Sequence, residues 1–135
     1  MVRKSLAILF TLMVASPATA APVQLQAKLT GTAAGDPKGS GKASLSVDPD
    51  KSEVCYVIEV SGIAPASAAH IHRVAAESFD PPVVSLRAPS NGKSEGCAWA
   101  LPEDLRAIAA TPAEFYVNVH NGPFPDGALR GQLVR

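Results

Sequence analysis

Apolar and polar residues alternate along most of this chain. Val23, Leu25, Ala27 and Leu29 are separated by Gln24, Gln26 and Lys28, with Thr30 after them. A period of two predicts a strand with one face buried and the other wet. After a break from Gly31 to Gly41, Ala43, Leu45 and Val47 alternate with Lys42, Ser44 and Ser46, and the turn formers Asp48-Pro49-Asp50 end the run. A third strand is expected from Val54 to Val60, with Val54, Tyr56, Ile58 and Val60 on one face and Cys55, Val57 and Glu59 on the other. His70 to Val74, Val83 to Leu86, Gly96 to Ala100, Phe115 to His120 and Ala128 to Val134 complete the set. Turn-rich segments separate them, notably Pro89-Ser90-Asn91-Gly92 and the loop from Asn121 to Gly127.

Pro102 to Ala109 is the one helix the pattern supports. Pro102 suits a first turn, Glu103 and Asp104 sit near the positive end of the helix dipole, and Leu105 and Ile108 share a face. About eight short strands with one short helix predict an all-β domain. Its expected form is an antiparallel sandwich or barrel with meander or Greek-key connections.

The first residues break this pattern. Arg3 and Lys4 precede the apolar run Leu6 to Val14, and Ala18-Thr19-Ala20 has the form of a cleavage site. Residues 1–20 therefore read as a secretory signal peptide, and residues 21–135 as one domain of about 115 residues. No later run is long enough to span a bilayer. The expected location is the periplasm or the extracellular space.

Lys and Arg number 12, as do Asp and Glu, and removing Arg3 and Lys4 leaves a net charge of about −2. That balance gives nucleic acid no electrostatic hold. Cys55 and Cys97 both belong to the mature part, and an even count in an exported chain reads as one disulfide. Two free thiols or a Cys/His metal site are the alternatives, disfavoured because exported thiols oxidise.

All three histidines fall in two of the expected strands, Ala69-His70-Ile71-His72 and Tyr116-Val117-Asn118-Val119-His120. Residues two apart share a face, so His70 and His72 present their imidazoles side by side. Phe115, Val117 and Val119 take the apolar face of the second segment, which leaves Tyr116, Asn118 and His120 on the other. A lone strand histidine is usually solvated or hydrogen-bonded, whereas two on one face are hard to explain as packing. His70, His72 and His120 are the candidate ligands of one metal ion. Three imidazoles with an open position suit copper or zinc rather than calcium or magnesium, and copper has the higher intrinsic affinity. Asn118, Glu77, Asp80 or a backbone carbonyl are candidates to hold the second nitrogen of each ring. Glu77 and Asp80 have an alternative reading as solvated loop charges. Arg130 alternates with Leu129 and Leu133. If it shares the face of His120, it is placed to attract a small anion; otherwise it pairs with Asp126 or stands in solvent. Trp99 and Tyr116 read as packing residues. A Ser/His/Asp hydrolase is unsupported, since no serine lies in a nucleophile elbow.

Ala69-His70-Ile71-His72, Val83-Val84-Ser85-Leu86, Tyr116-Val117-Asn118-Val119-His120 and the run from Phe124 to Leu133 give the stretch Val23 to Leu133 a resemblance to the CHRD domain. Arg73 departs from that family's pattern, where glycine is common. The His-x-His strand, the later histidine strand, one disulfide and a near-terminal Arg-Gly also resemble, more weakly, the copper/zinc superoxide dismutases. That resemblance implies a superoxide dismutase-like or Ig-like Greek-key fold, copper on His70, His72 and His120, and Arg130 guiding superoxide as a catalytic residue. The bridging histidine and the zinc site of those enzymes have no counterpart here. A copper carrier without turnover and a non-catalytic extracellular interaction module are the competing readings.

Overall fold

The structure, a computed structural model, describes residues 12–31, 34–74 and 81–135. Among these residues eight strands form: β1 Val23–Thr30, β2 Ser40–Asp48, β3 Glu53–Ser61, β4 Ala66–Arg73, β5 Pro82–Leu86, β6 Lys93–Trp99, β7 Phe115–Asn121 and β8 Leu129–Gln132. One helix, α1, spans Pro102–Ala110 between β6 and β7. The strands make a single antiparallel sheet in the order β5-β4-β7-β8-β1-β2-β3-β6. β1 to β3 is a meander; the chain then crosses to the β4–β5 hairpin, returns as β6 to pair with β3, and crosses again through α1 to place β7 beside β4. Those crossings are Greek-key connections. The sheet curls into a nearly closed barrel in which β5 and β6, the two ends of the order, come into contact.

The alternation explains the burial. Leu25, Ala27 and Leu29 of β1, Leu45 and Val47 of β2, and Val54 and Ile58 of β3 point inward and are buried. Their polar neighbours face out. α1 closes one end of the barrel against β2 and the 3-10 turn Pro49–Lys51, burying Leu105 and Ile108 completely. Each such side chain contributes about 1.5–3 kcal/mol by leaving water. Pro102 starts the helix with its missing N–H, and Thr111 ends it, its N–H and its hydroxyl both donating to the Ala107 carbonyl before Pro112 stops the chain.

The bounds of three strands differ most from the sequence reading. β4 begins at Ala66 rather than His70, because its first half is Ala and Ser, which carry little strand propensity, and only pairing with β7 makes it a strand. β6 begins at Lys93 rather than Gly96 and ends at Trp99, held throughout by the register with β3. β8 stops at Gln132, because Val134 leaves it to bridge Gln26 of β1.

Cys55 and Cys97 stand directly opposite each other on β3 and β6 and form the expected disulfide, with a Cα separation of 3.9 Å. Among the described residues no helix is long and apolar enough to cross a membrane. Residues 12–20 carry no regular secondary structure, and the apolar Leu12, Met13 and Val14 are exposed.

Candidate metal centre

β4 and β7 lie side by side, and their register sets the distances between the histidines. His70 stands opposite Asn118, His72 opposite Tyr116 and Ala68 opposite His120. Ala69, Ile71, Val117 and Val119 take the core side and are fully buried. The outer face of this half of the barrel therefore carries His70 and His72 beside Tyr116, Asn118 and His120. The small Ala68 opposite His120 leaves space, and the imidazole of His120 reaches diagonally to His70, the neighbour two places along.

The three rings form a triangle. The His70 centroid lies 5.5 Å from that of His72 and 5.0 Å from that of His120, and the third side measures 6.3 Å. One ring nitrogen from each residue lies within 4.8 Å of the other two. Nδ1 of His70 and Nε2 of His120 are 3.1 Å apart. Nitrogens bound at about 2.0–2.1 Å to one tetrahedral ion are about 3.3 Å from each other. The closest pair is therefore already at ligand-to-ligand spacing, with a His72 ring nitrogen within 4.8 Å of both.

The proton positions follow from one fixed acceptor. His120 Nδ1 lies 2.9 Å from the Pro125 carbonyl oxygen, which can only accept, so Nδ1 carries a hydrogen, and in the neutral tautomer this selects, Nε2 holds the lone pair. His70 Nδ1–H then donates to that lone pair. A proton thus occupies the line between two nitrogens that a metal cation would take. Burial holds the His70 imidazole below its ordinary pKa, and the neighbouring His120 and His72 act in the same direction. The neutral ring this favours is the ligand form. Three imidazoles with no thiolate fit copper or zinc.

The β7–β8 loop holds this geometry. Asn121 Oδ1 accepts from the Phe124 N–H at 2.9 Å, Asn121 Nδ2 donates to Ala64, and the Gly127 N–H closes on the Phe124 carbonyl. That turn aims two successive carbonyls back at β7: Pro125 at His120, and Asp126 at Asn118 Nδ2, 3.2 Å away. Gly127 adopts φ +138°, and a Cβ there would lie 2.4 Å from Asn118 Oδ1. Only glycine satisfies both the conformation and the contact.

Asn118 is buried and holds the loop rather than a histidine; its Oδ1 accepts no hydrogen bond from the described residues. Arg130 pairs in register with Asn118, so it does lie on the histidine face. Its guanidinium carbon sits 3.3 Å from the centre of the Tyr116 ring. Tyr116 in turn stacks on His72, the planes 11° apart and the centroids 5.2 Å apart. Among the described residues no carboxylate forms an ion pair with Arg130. Glu77 and Asp80 lie outside the described residues. Arg73, on the other side of β4, lies against Phe115.

With this arrangement in view, the sequence model of the CHRD domain matches residues 25–133. The chain belongs to the CHRD domain family. Searches of curated proteins and of solved structures return no significant match. Membership identifies the scaffold, while chemistry has to be argued from the site. In this CHRD domain the site includes one residue that the sequence does not reveal: Pro125 cannot be found from side-chain chemistry, because it contributes a backbone oxygen. Tyr116, which the alternation places on the face of Asn118 and His120, is a packing residue as expected, and what it packs against is His72 and Arg130.

Proposed function

We propose that this CHRD domain is an exported copper-binding protein whose ion is held by His70, His72 and His120. The observation that carries the reading is the 3.1 Å approach of His70 Nδ1 to His120 Nε2, inside a cluster whose three donor nitrogens lie within 4.8 Å of one another. The signal-like first 20 residues and the disulfide fit an oxidising compartment outside the cytosol. There, copper is accessible to a site with no thiolate, and it outranks zinc in affinity for nitrogen donors. His120 would bind through Nε2, its Nδ1 kept on Pro125, and His70 through Nδ1 after giving up the proton now shared with His120.

Copper in this position supplies one-electron redox chemistry, and superoxide is the small anion that chemistry suits. Arg130 brings a positive charge to the same face and favours anions over neutral molecules. Titration of purified protein with copper, against His70→Ala, His72→Ala and His120→Ala, tests the site. Stoichiometric binding by the wild type, with each variant at least about 10-fold weaker, is expected. Equal binding by all four proteins would refute it. Failure of the loaded protein to speed superoxide decay beyond free copper would leave a carrier in place of an enzyme.

A further inference from the structure

His72, Tyr116 and Arg130 come from three adjacent strands, β4, β7 and β8; His72 stands directly opposite Tyr116, and Arg130, in register with Asn118, reaches diagonally over the Tyr116 ring. β4 and β8 flank β7 on opposite sides. The Tyr116 ring is therefore enclosed by the His72 imidazole on one side and the Arg130 guanidinium on the other, at 5.2 Å and 3.3 Å from its centre. Tyr116 is only 4% exposed and His72 7%. Interactions across this ring are thus poorly screened by water.

We propose that Arg130 and Tyr116 are positioning residues that set the redox balance of the ion through His72. The inference rests on the copper reading above. An aromatic face attracts cations through its quadrupole, by an amount that grows when the partners are desolvated. A metal-bound imidazole carries part of the metal's charge, so Tyr116 stabilises the loaded His72. Arg130 draws on the same ring from its other face. Two cations sharing one quadrupole oppose each other, and the opposition is greater for Cu(II) than for Cu(I). Arg130 therefore favours the reduced ion and weakens the hold on the oxidised one. This role needs no contact between the guanidinium and the substrate, and it differs from attraction of an anion through the general field.

A double-mutant cycle with Arg130→Leu and Tyr116→Leu separates the two. Affinity for Cu(II) is read by competition with a chelator, and the Cu(II)/Cu(I) midpoint potential by equilibrium redox titration. Arg130→Leu is expected to tighten Cu(II) roughly 2- to 30-fold, the range of cation–π interactions, and to shift the midpoint potential downward. In the Tyr116→Leu background the same change is expected to do neither. Tyr116→Phe keeps the ring and should keep the full Arg130 effect, which also covers a Leu variant too unstable to purify. Arg130→Leu without effect on either quantity overturns the inference. So does an effect that persists without the ring, since Arg130 would then act through space. Wild-type protein that binds no copper sinks the copper reading itself; copper-binding wild type with no coupling across Tyr116 sinks only the role of Arg130 and Tyr116.

Discussion

Replacing both Cys55 and Cys97 with alanine should cost a large part of the stability while leaving the three-histidine cluster intact. The disulfide closes a loop of 42 residues. In the chain-entropy description, opening a loop of that length returns about 4 kcal/mol of conformational freedom to the unfolded chain at 25 °C. For a domain of about 115 residues the unfolding entropy is about 0.24 kcal/mol/K, so the loss corresponds to a fall in Tm of about 16 °C. The native side changes little. β3 and β6 stay paired from Glu53 opposite Trp99 to Glu59 opposite Lys93, and neither strand carries a histidine. Thermal and urea unfolding of the metal-free proteins, followed by circular dichroism, measures the cost; copper titration at 10 °C measures the site. A cost below about 1 kcal/mol would show that the unfolded chain already keeps the two strands together, and the entropic argument would fail. Loss of copper binding in a variant that is still folded would refute the independence of the two halves of the barrel.

Gly127→Ala forces a side chain into a φ of +138° and against Asn118, and should destabilise the fold by about 1–3 kcal/mol; because the same turn aims Pro125 at His120, copper affinity should fall with it, and a variant unchanged in both melts and titrations would contradict the loop's role. Ile108→Ala empties a fully buried position under α1 and should cost about 2–5 kcal/mol in urea unfolding, with copper affinity unaltered. The pH dependence follows from His70. Its folded pKa is depressed, so the unfolded chain binds the proton more readily; the stabilisation is complete above the ordinary imidazole pKa of about 6.5 and is lost as pH falls through the lower folded value. Urea midpoints of the metal-free protein should drop on acidification from pH 7 to pH 5, and His70→Ala should flatten that slope.

How much of this was legible beforehand depended on the range of the interaction that decides it. The faces of β1, β2 and β3 are local facts: Leu25, Leu45 and Ile58 are inward because their neighbours are polar. The outward faces of His70, His72 and His120 follow from the same rule. The first half of β4 escaped notice because Ala66, Ser67, Ala68 and Ala69 have no alternation strong enough to see, and their strand exists through pairing with β7. The distance between His70 and His120, 50 residues apart in the chain, depends on that pairing and its register. The contact of Arg130 with Tyr116 is finer still. Alternation gives the face of Arg130, but only the side-by-side order of β4, β7 and β8 puts its guanidinium over a ring that itself lies on His72.

The seam between β5 and β6 has a kinetic consequence. One lip, β6, is fastened covalently to β3, whereas the other, β5, hangs on β4 alone in the hydrogen-bonded order. Local opening starts at such edges, so the β4–β5 hairpin is the part of the barrel that lifts first. His70 and His72 would leave with it, while His120 stays behind on β7, which remains paired with β8. An ion gripped by all three would rivet the loosest flap of the wall to its frame. Escape of the ion would then be timed by the unzipping of a hairpin, and amide exchange in β4 and β5 would run on the same clock.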